Sequence, residues 1–139
     1  MVPPKTLIVT TTSKILYADD DSDDQYLLNE SIVSSGLKAD MVYVTNGQEA
    51  ISYIEHTSDA LPSLVILDLN MPKMNGRETL RYLKAHPRYH DIPVIILSTS
   101  ENKRERDACA AQGALSYFVK PRQMQDYDTI VKVCQSYVH

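Results

Sequence analysis

Four short segments of the chain end in side chains that could act together. Leu64-Val65-Ile66-Leu67 runs straight into Asp68, and the chain turns soon after at Met71-Pro72. An aspartate left unpaired within such an apolar run would be costly to bury, so Asp68 belongs at its open end. Lys14-Ile15-Leu16-Tyr17-Ala18 leads in the same way into Asp19-Asp20-Asp21, Val94-Ile95-Ile96-Leu97 into Ser98-Thr99-Ser100, and Ala114 to Val119 into Lys120-Pro121. Carboxylates brought together from Asp19, Asp20 and Asp68 repel and cannot all stay ionised without a cation. Their oxygens suit a hard divalent ion, and Mg²⁺ fits best because it keeps several waters and needs few protein ligands. Lys120 supplies a compact, mobile positive charge for an anion held at Asp68, and Ser98 supplies a hydroxyl donor to the same anion. A carboxylate in that setting can attack phosphorus while the flanking groups neutralise the oxygens of the transferring phosphoryl.

The elements that would carry these side chains follow from the pattern. A short continuous apolar run bounded by turn residues reads as a strand buried on both faces. Five such strands are expected, ending at Ala18, Val44, Leu67, Leu97 and Val119. Between and after them lie helical segments. Ser22-Asp23-Asp24-Gln25 fits a capping box that opens a helix through Leu28, Ile32 and Val33, with Gly36 as its stop. Asn46-Gly47-Gln48-Glu49 opens a second helix with Ala50, Ile51 and Ile54 inward. Asn75-Gly76-Arg77-Glu78 opens a third, to about Ala85, ended by Pro87. A fourth runs from Glu101 to about Gln112 with Gly113 as cap, and a fifth from about Gln123 to Tyr137, burying Ile130, Val131, Cys134 and Val138. Strands alternating with helices at these spacings call for an α/β fold, a doubly wound five-stranded parallel sheet with helices on both faces. In such a sheet all the strand ends lie on one edge, where ligands bind. Asp68 and its three companions therefore converge.

The bulk properties set limits. At 139 residues the chain is one domain able to bury a core without disulfides. Residues 1–13 read as an N-terminal extension with poor order, and 14–139 as the domain. A net charge of −4 offers no basic footprint for nucleic acid. No apolar run is long enough to span a membrane and no signal core opens the chain, which points to the cytoplasm. Cys109 and Cys134 read as reduced helix residues.

Each chemical feature also has an ordinary reading. An acidic run is usually a solvated turn with a helix cap, a strand-closing aspartate a turn former, and Lys-Pro loop punctuation. What separates the two readings is the joint occurrence. Four independent strand ends carry the acids, the hydroxyl and the lysine that one phosphorylation site needs.

From about Lys14 to the C-terminus the chain resembles the receiver domain of two-component response regulators. The resemblance rests on Ile15-Leu16-Tyr17-Ala18-Asp19-Asp20-Asp21, on Val65-Ile66-Leu67-Asp68-Leu69-Asn70-Met71-Pro72 with Gly76, on Ile96-Leu97-Ser98-Thr99, and on Tyr117-Phe118-Val119-Lys120-Pro121. It implies the flavodoxin-like strand order 2-1-3-4-5. It also implies that Asp68 accepts a phosphoryl group from the phosphohistidine of a sensor histidine kinase or histidine phosphotransfer protein. By the same resemblance Mg²⁺ is held by Asp20 and Asp68, by the Asn70 backbone carbonyl, and by Asp19 through water. Ser98 and Lys120 contact the phosphoryl oxygens, Lys120-Pro121 is a cis peptide, and Tyr117 turns inward as Ser98 moves. The protein would be a phosphorylation-driven switch and not an enzyme beyond its own phosphorylation and dephosphorylation. With no effector segment in this sequence, a downstream protein target would be reached through the fourth helix, fifth strand and fifth helix, a surface that often forms homodimers. Here it presents Lys103, Arg104, Arg106, Asp107 and Lys132. The Asp-Asp-Asp-Ser-Asp-Asp stretch, His86-Pro87 and the segment from Ile92 to Ser100 are similar to regulators paired with phytochrome-type sensor kinases.

Two positions depart from common members of the family. Ser98 stands where many have threonine, which keeps the hydroxyl and removes a methyl group. Ser100 stands where some carry a charge, and together with Asn70 it leaves the phosphoryl lifetime open. Two other functions remain from the residues alone. An aspartyl-phosphate phosphatase would also place a nucleophilic aspartate after an apolar strand, but it needs a second acid where this chain has Asn70. An unphosphorylated scaffold of the same fold would not need the complete set of Asp19, Asp20, Asp68, Ser98 and Lys120.

Overall fold

The computed structural model describes residues 13–57 and 60–138. Five strands, β1 (Lys14–Ala18), β2 (Asp40–Val44), β3 (Leu64–Leu67), β4 (Val94–Ser98) and β5 (Ser116–Val119), form one sheet in the order β2-β1-β3-β4-β5. Every pairing is parallel, with Ala18 beside Leu67, Leu67 beside Ile96, and Ser98 beside Val119. Five helices complete the alternation: α1 (Ser22–Ser35), α2 (Gly47–His56), α3 (Gly76–Ala85), α4 (Lys103–Ala111) and α5 (Asp128–Tyr137). The expected α/β architecture and strand order are both present. The N-terminal extension expected at residues 1–13 lies, but for Ser13, outside the described residues.

The apolar runs in β1, β3 and β4 are continuous because both sheet faces are covered. Side chains alternate across a strand. Leu16, Ala18, Val65, Leu67 and Ile96 therefore pack with Ala50, Ile54, Leu80, Leu83 and Cys109 on the side of α2, α3 and α4. Ile15, Tyr17, Leu64, Ile66, Ile95 and Leu97 pack with Leu28, Ile32, Ile130, Val131 and Cys134 on the side of α1 and α5. Both cysteines are free and buried.

Several local expectations are corrected. Asp21, not Ser22, caps α1, its carboxylate accepting from the backbone N–H groups of Asp23 and Asp24 at 2.9 and 3.3 Å. Gln25 consequently does not close a capping box. Its Nε2 instead donates to the carbonyls of Asp19 and Val44, tying the helix to the ends of β1 and β2. Val33 is exposed, because Leu28 and Ile32 define the buried stripe and the next residue falls about 100° round the helix. α4 begins at Lys103 because Asn102 caps it through the N–H groups of Arg104 and Glu105. A 3₁₀ turn over Met124–Tyr127 precedes α5, where one longer helix was expected, and Val138 is only half-buried. Lys120-Pro121 is trans, and no cis peptide occurs among the described residues. The trans form is intrinsically the lower in energy, by roughly 0.5–1 kcal/mol before proline.

Candidate functional site

One backbone bond past each strand holds the site residues on the C-terminal edge of the sheet. Asp19 donates its N–H to Val44 O at 3.0 Å, Asp68 to Ala18 O at 3.0 Å, and Lys120 to Ser98 O at 2.7 Å. These bonds extend the ladder just far enough to carry strand alternation into the site. Asp19 follows Tyr17, Asp68 follows Ile66, and Lys120 follows Phe118, so all three lean toward α1 and α5. Ser98 follows Ile96 and belongs to the opposite side.

The convergence is close. The Lys120 ammonium lies 2.8 Å from Asp19 Oδ2, 2.7 Å from Asp24 Oδ2 and 3.4 Å from Asp68 Oδ2. Asp19 is fully buried and well supplied with donors. Its Oδ1 accepts from the Asp21 N–H at 2.9 Å, and its Oδ2 from the Tyr17 hydroxyl at 2.5 Å as well as from Lys120. A buried carboxylate persists only with such partners. Asp20 is exposed at the rim, and Asn70 is exposed two residues beyond Asp68, donating its N–H toward Asp68 Oδ1 at 3.5 Å.

Burial, and next the charge of Asp19, push the Asp68 carboxyl up to about 7, although Lys120 pulls the other way. For Lys120 burial acts to lower the ammonium, but hydrogen bonds to Asp19 and Asp24 and the charges of Asp19 and Asp68 outweigh it and hold it above its ordinary value. Burial and then Asp19 raise the Tyr17 phenol far above its usual range. Besides burial, all three shifts carry the charge of Asp19: the pocket holds more acid than Lys120 alone neutralises.

That imbalance is what a divalent cation would relieve. Asp19, Asp20 and Asp68 each offer an oxygen, and the three ligand atoms lie within 4.8 Å of one another. The donors are all hard oxygens and one acid is solvent-facing, which fits an ion that retains water.

Gly76 lets the loop after Asp68 close. A Cβ there would stand 2.2 Å from the Asp68 carbonyl oxygen, so the start of α3 can pass this close only without a side chain. Asn75 and Glu78 complete the capping box that begins the helix at that point.

A second arm runs away from the acids. Ser98 is fully buried and its Oγ accepts from the Ser100 N–H at 3.1 Å. Ser100 bonds Glu105 through its hydroxyl at 2.9 Å, and its carbonyl accepts from the Tyr117 hydroxyl at 2.8 Å. The Arg106 guanidinium stands 5.2 Å from the centre of the half-buried Tyr117 ring. Ser98 and Tyr117 are thus joined through one residue. Beside Lys120 a cleft of about 390 Å³ opens, lined by Asp24, Thr99, Glu101, Val119, Lys120, Pro121 and Arg122.

Every expected site residue sits on this edge. Asp19, Asp20, Asp68 and Lys120 are brought together, while Ser98, Asn70 and Tyr117 flank them. Two participants were not anticipated. In sequence Asp24 reads as part of the helix cap, since an acid in a first helical turn is ordinarily explained by the helix dipole. Tyr17 reads as strand core, and its two-residue spacing from Asp19 is the available signal of a second role.

Comparison with known proteins agrees with this geometry. The sequence profile of the response regulator receiver domain matches residues 15–132, and the chain belongs to that family. Response regulator Rcp1 of Synechocystis sp. is 30% identical over 139 residues, covering 97% of this chain and 89% of that protein. A chemotaxis protein CheY homologue of Campylobacter jejuni is 31% identical over 108 residues, covering 78% of this chain and 81% of the other. Among solved structures, the phosphorylated cyanobacterial phytochrome response regulator RcpA is similar with a TM-score of 0.81 at 30% identity, covering 91% of this chain and 94% of that one. The Mn²⁺-bound form of Rcp1 is similar with a TM-score of 0.79 at 29% identity, covering 90% and 93%. These relatives are signalling receivers. No helix among the described residues is long and apolar enough to cross a membrane.

Proposed function

We propose that this receiver accepts a phosphoryl group on Asp68 from a phosphohistidine of a sensor histidine kinase or phosphotransfer protein, in a Mg²⁺-dependent reaction. The observation that carries the reading is the set of three carboxylates, Asp19, Asp20 and Asp68, with the Lys120 ammonium 3.4 Å from Asp68. An Asp68 oxygen attacks phosphorus, the P–N bond of phosphohistidine breaks, and the imidazole leaves with the bonding pair. Lys120 and the Ser98 hydroxyl then hold the phosphoryl oxygens. Asp20, Asp68, the Asn70 carbonyl and, through water, Asp19 would hold Mg²⁺, which would supply neutralising charge there. Asp19, fixed by Tyr17 and Asp21, keeps its oxygens turned into the pocket throughout.

Movement of Ser98 toward the phosphoryl group disturbs its bond to Ser100 and so the seat of the Tyr117 hydroxyl. The change is read on the surface of α4, β5 and α5, where Lys103, Arg104, Arg106, Asp107 and Lys132 are exposed, by a downstream protein or a second copy of the chain. The similarity to the phytochrome response regulator RcpA favours a phytochrome-type kinase as donor, and a cytoplasmic setting belongs to the same proposal. Phosphotransfer from autophosphorylated kinases tests the reading. Label should leave the kinase histidine and appear on this chain, and not on Asp68→Asn. Transfer to the Asp68→Asn variant at the parent rate would overturn it.

A further inference from the structure

We propose that Asp24 is a positioning residue of this site, one that competes with the phosphoryl group for the Lys120 ammonium and so sets how firmly that group is held. The inference rests on the reading of Asp68 as phosphoryl acceptor.

Lys120 is shared unequally. Its ammonium is closest to Asp24, at 2.7 Å, then Asp19 at 2.8 Å, and only then Asp68 at 3.4 Å. Asp19 is buried, belongs to the acid cluster and has two other donors. Asp24 is different on each count. It comes from α1 and lies outside the cluster that can offer ligands to one cation. Its side chain is 21% exposed where that of Lys120 is 8% exposed. Water can therefore stabilise Asp24 if the lysine leaves, while the lysine can leave only toward another anion. Both residues line the cleft of about 390 Å³, so the ammonium has room to swing.

A phosphoryl group on Asp68 adds negative charge on the side where Lys120 is least engaged. To contact it, the ammonium must loosen its bond to Asp24. The Asp24 charge also stands against the incoming group through the same pocket. Both effects weaken the modified state relative to the unmodified one. A neutral isostere at position 24 removes both, without touching a residue that binds the phosphoryl group or the cation.

The test uses the full chain, saturating Mg²⁺ and beryllofluoride as an equilibrium mimic of the phosphoryl group, with affinity read by calorimetry. Asp24→Asn should bind beryllofluoride at least about threefold more tightly than the parent, as expected for removing one nearby charge. Asp24→Glu, which keeps the charge, should stay near the parent value, and the gain should shrink in a Lys120→Met background, where only the direct repulsion is left to remove. Unchanged or weakened binding by a folded Asp24→Asn chain overturns the inference, as does a gain that is undiminished without Lys120. A change confined to the melting temperature makes Asp24 merely structural and overturns it too. Should Asp24→Asn not fold, Asp24→Ser against Asp24→Glu gives the same comparison. Failure of the parent itself to bind, or undiminished binding by Asp68→Asn, defeats the underlying reading, a result distinct from loss of the Asp24 effect alone.

Discussion

Lys120 places its ammonium 2.8 Å from the fully buried Asp19, nearer than to Asp68. The lysine thus holds the pocket together as well as facing Asp68. Lys120→Met strips a buried carboxylate of its ion partner, and such losses cost about 3–5 kcal/mol. Thermal or urea unfolding without divalent cations should show a loss of that order, partly recovered on adding Mg²⁺. A loss below about 0.5 kcal/mol would mean that the pair contributes no more than a surface ion pair.

Asp68 makes stability depend on pH with a definite sign. Its carboxyl is raised from 3.8 to about 7 in the fold, so the folded state binds the proton more tightly than the unfolded one. The stabilisation is fully present below the unfolded value and is lost as pH rises through about 7. Asp68→Asn, which cannot ionise, should therefore be more stable than the parent at pH about 8 in chelator, by about 2–4 kcal/mol. The two should converge near pH about 4. Denaturant unfolding across this range checks both ends.

Gly76 should not tolerate a side chain. In Gly76→Ala the new methyl group meets the Asp68 carbonyl oxygen, which is backbone and cannot swing aside. Destabilisation of about 1–3 kcal/mol is expected, with a displaced Asp68 and reduced phosphorylation. Unfolding and labelling of the same preparation separate the two effects.

Ser98→Ala removes a hydroxyl that would donate to the phosphoryl group, and phosphorylation by a small donor should slow by about tenfold or more. Ser98→Thr keeps the donor and should stay within about threefold. Rapid-quench labelling compares them.

The legible parts of this molecule are those governed by short-range rules. Apolar runs marked β1, β3 and β4 because strands covered on both faces need no polar alternation. Gly36, Asn46 and Asn75 marked helix ends because each supplies a conformation or an acceptor at the terminus itself. The site was legible because parallel strands place their ends together, so Asp19, Asp68, Ser98 and Lys120 could be matched without coordinates. The start of α1 was harder, since Asp21 and Ser22 are both good caps and the choice depends on which side-chain oxygen reaches two N–H groups. Asp24 was illegible as a site residue. Its link to Lys120 joins α1 to the loop after β5 and exists only once both pack on the same sheet face.

Every proposed role in this pocket depends on Asp68 being the phosphoryl acceptor. Incubating the full chain with a small-molecule phosphodonor, with and without Mg²⁺, and locating the product by mass spectrometry tests it most directly. One phosphoryl group per chain is expected, mapped to Asp68, dependent on Mg²⁺ and absent from Asp68→Asn. Labelling that persists undiminished in Asp68→Asn, or a parent chain that takes no label with Mg²⁺ present, would contradict it.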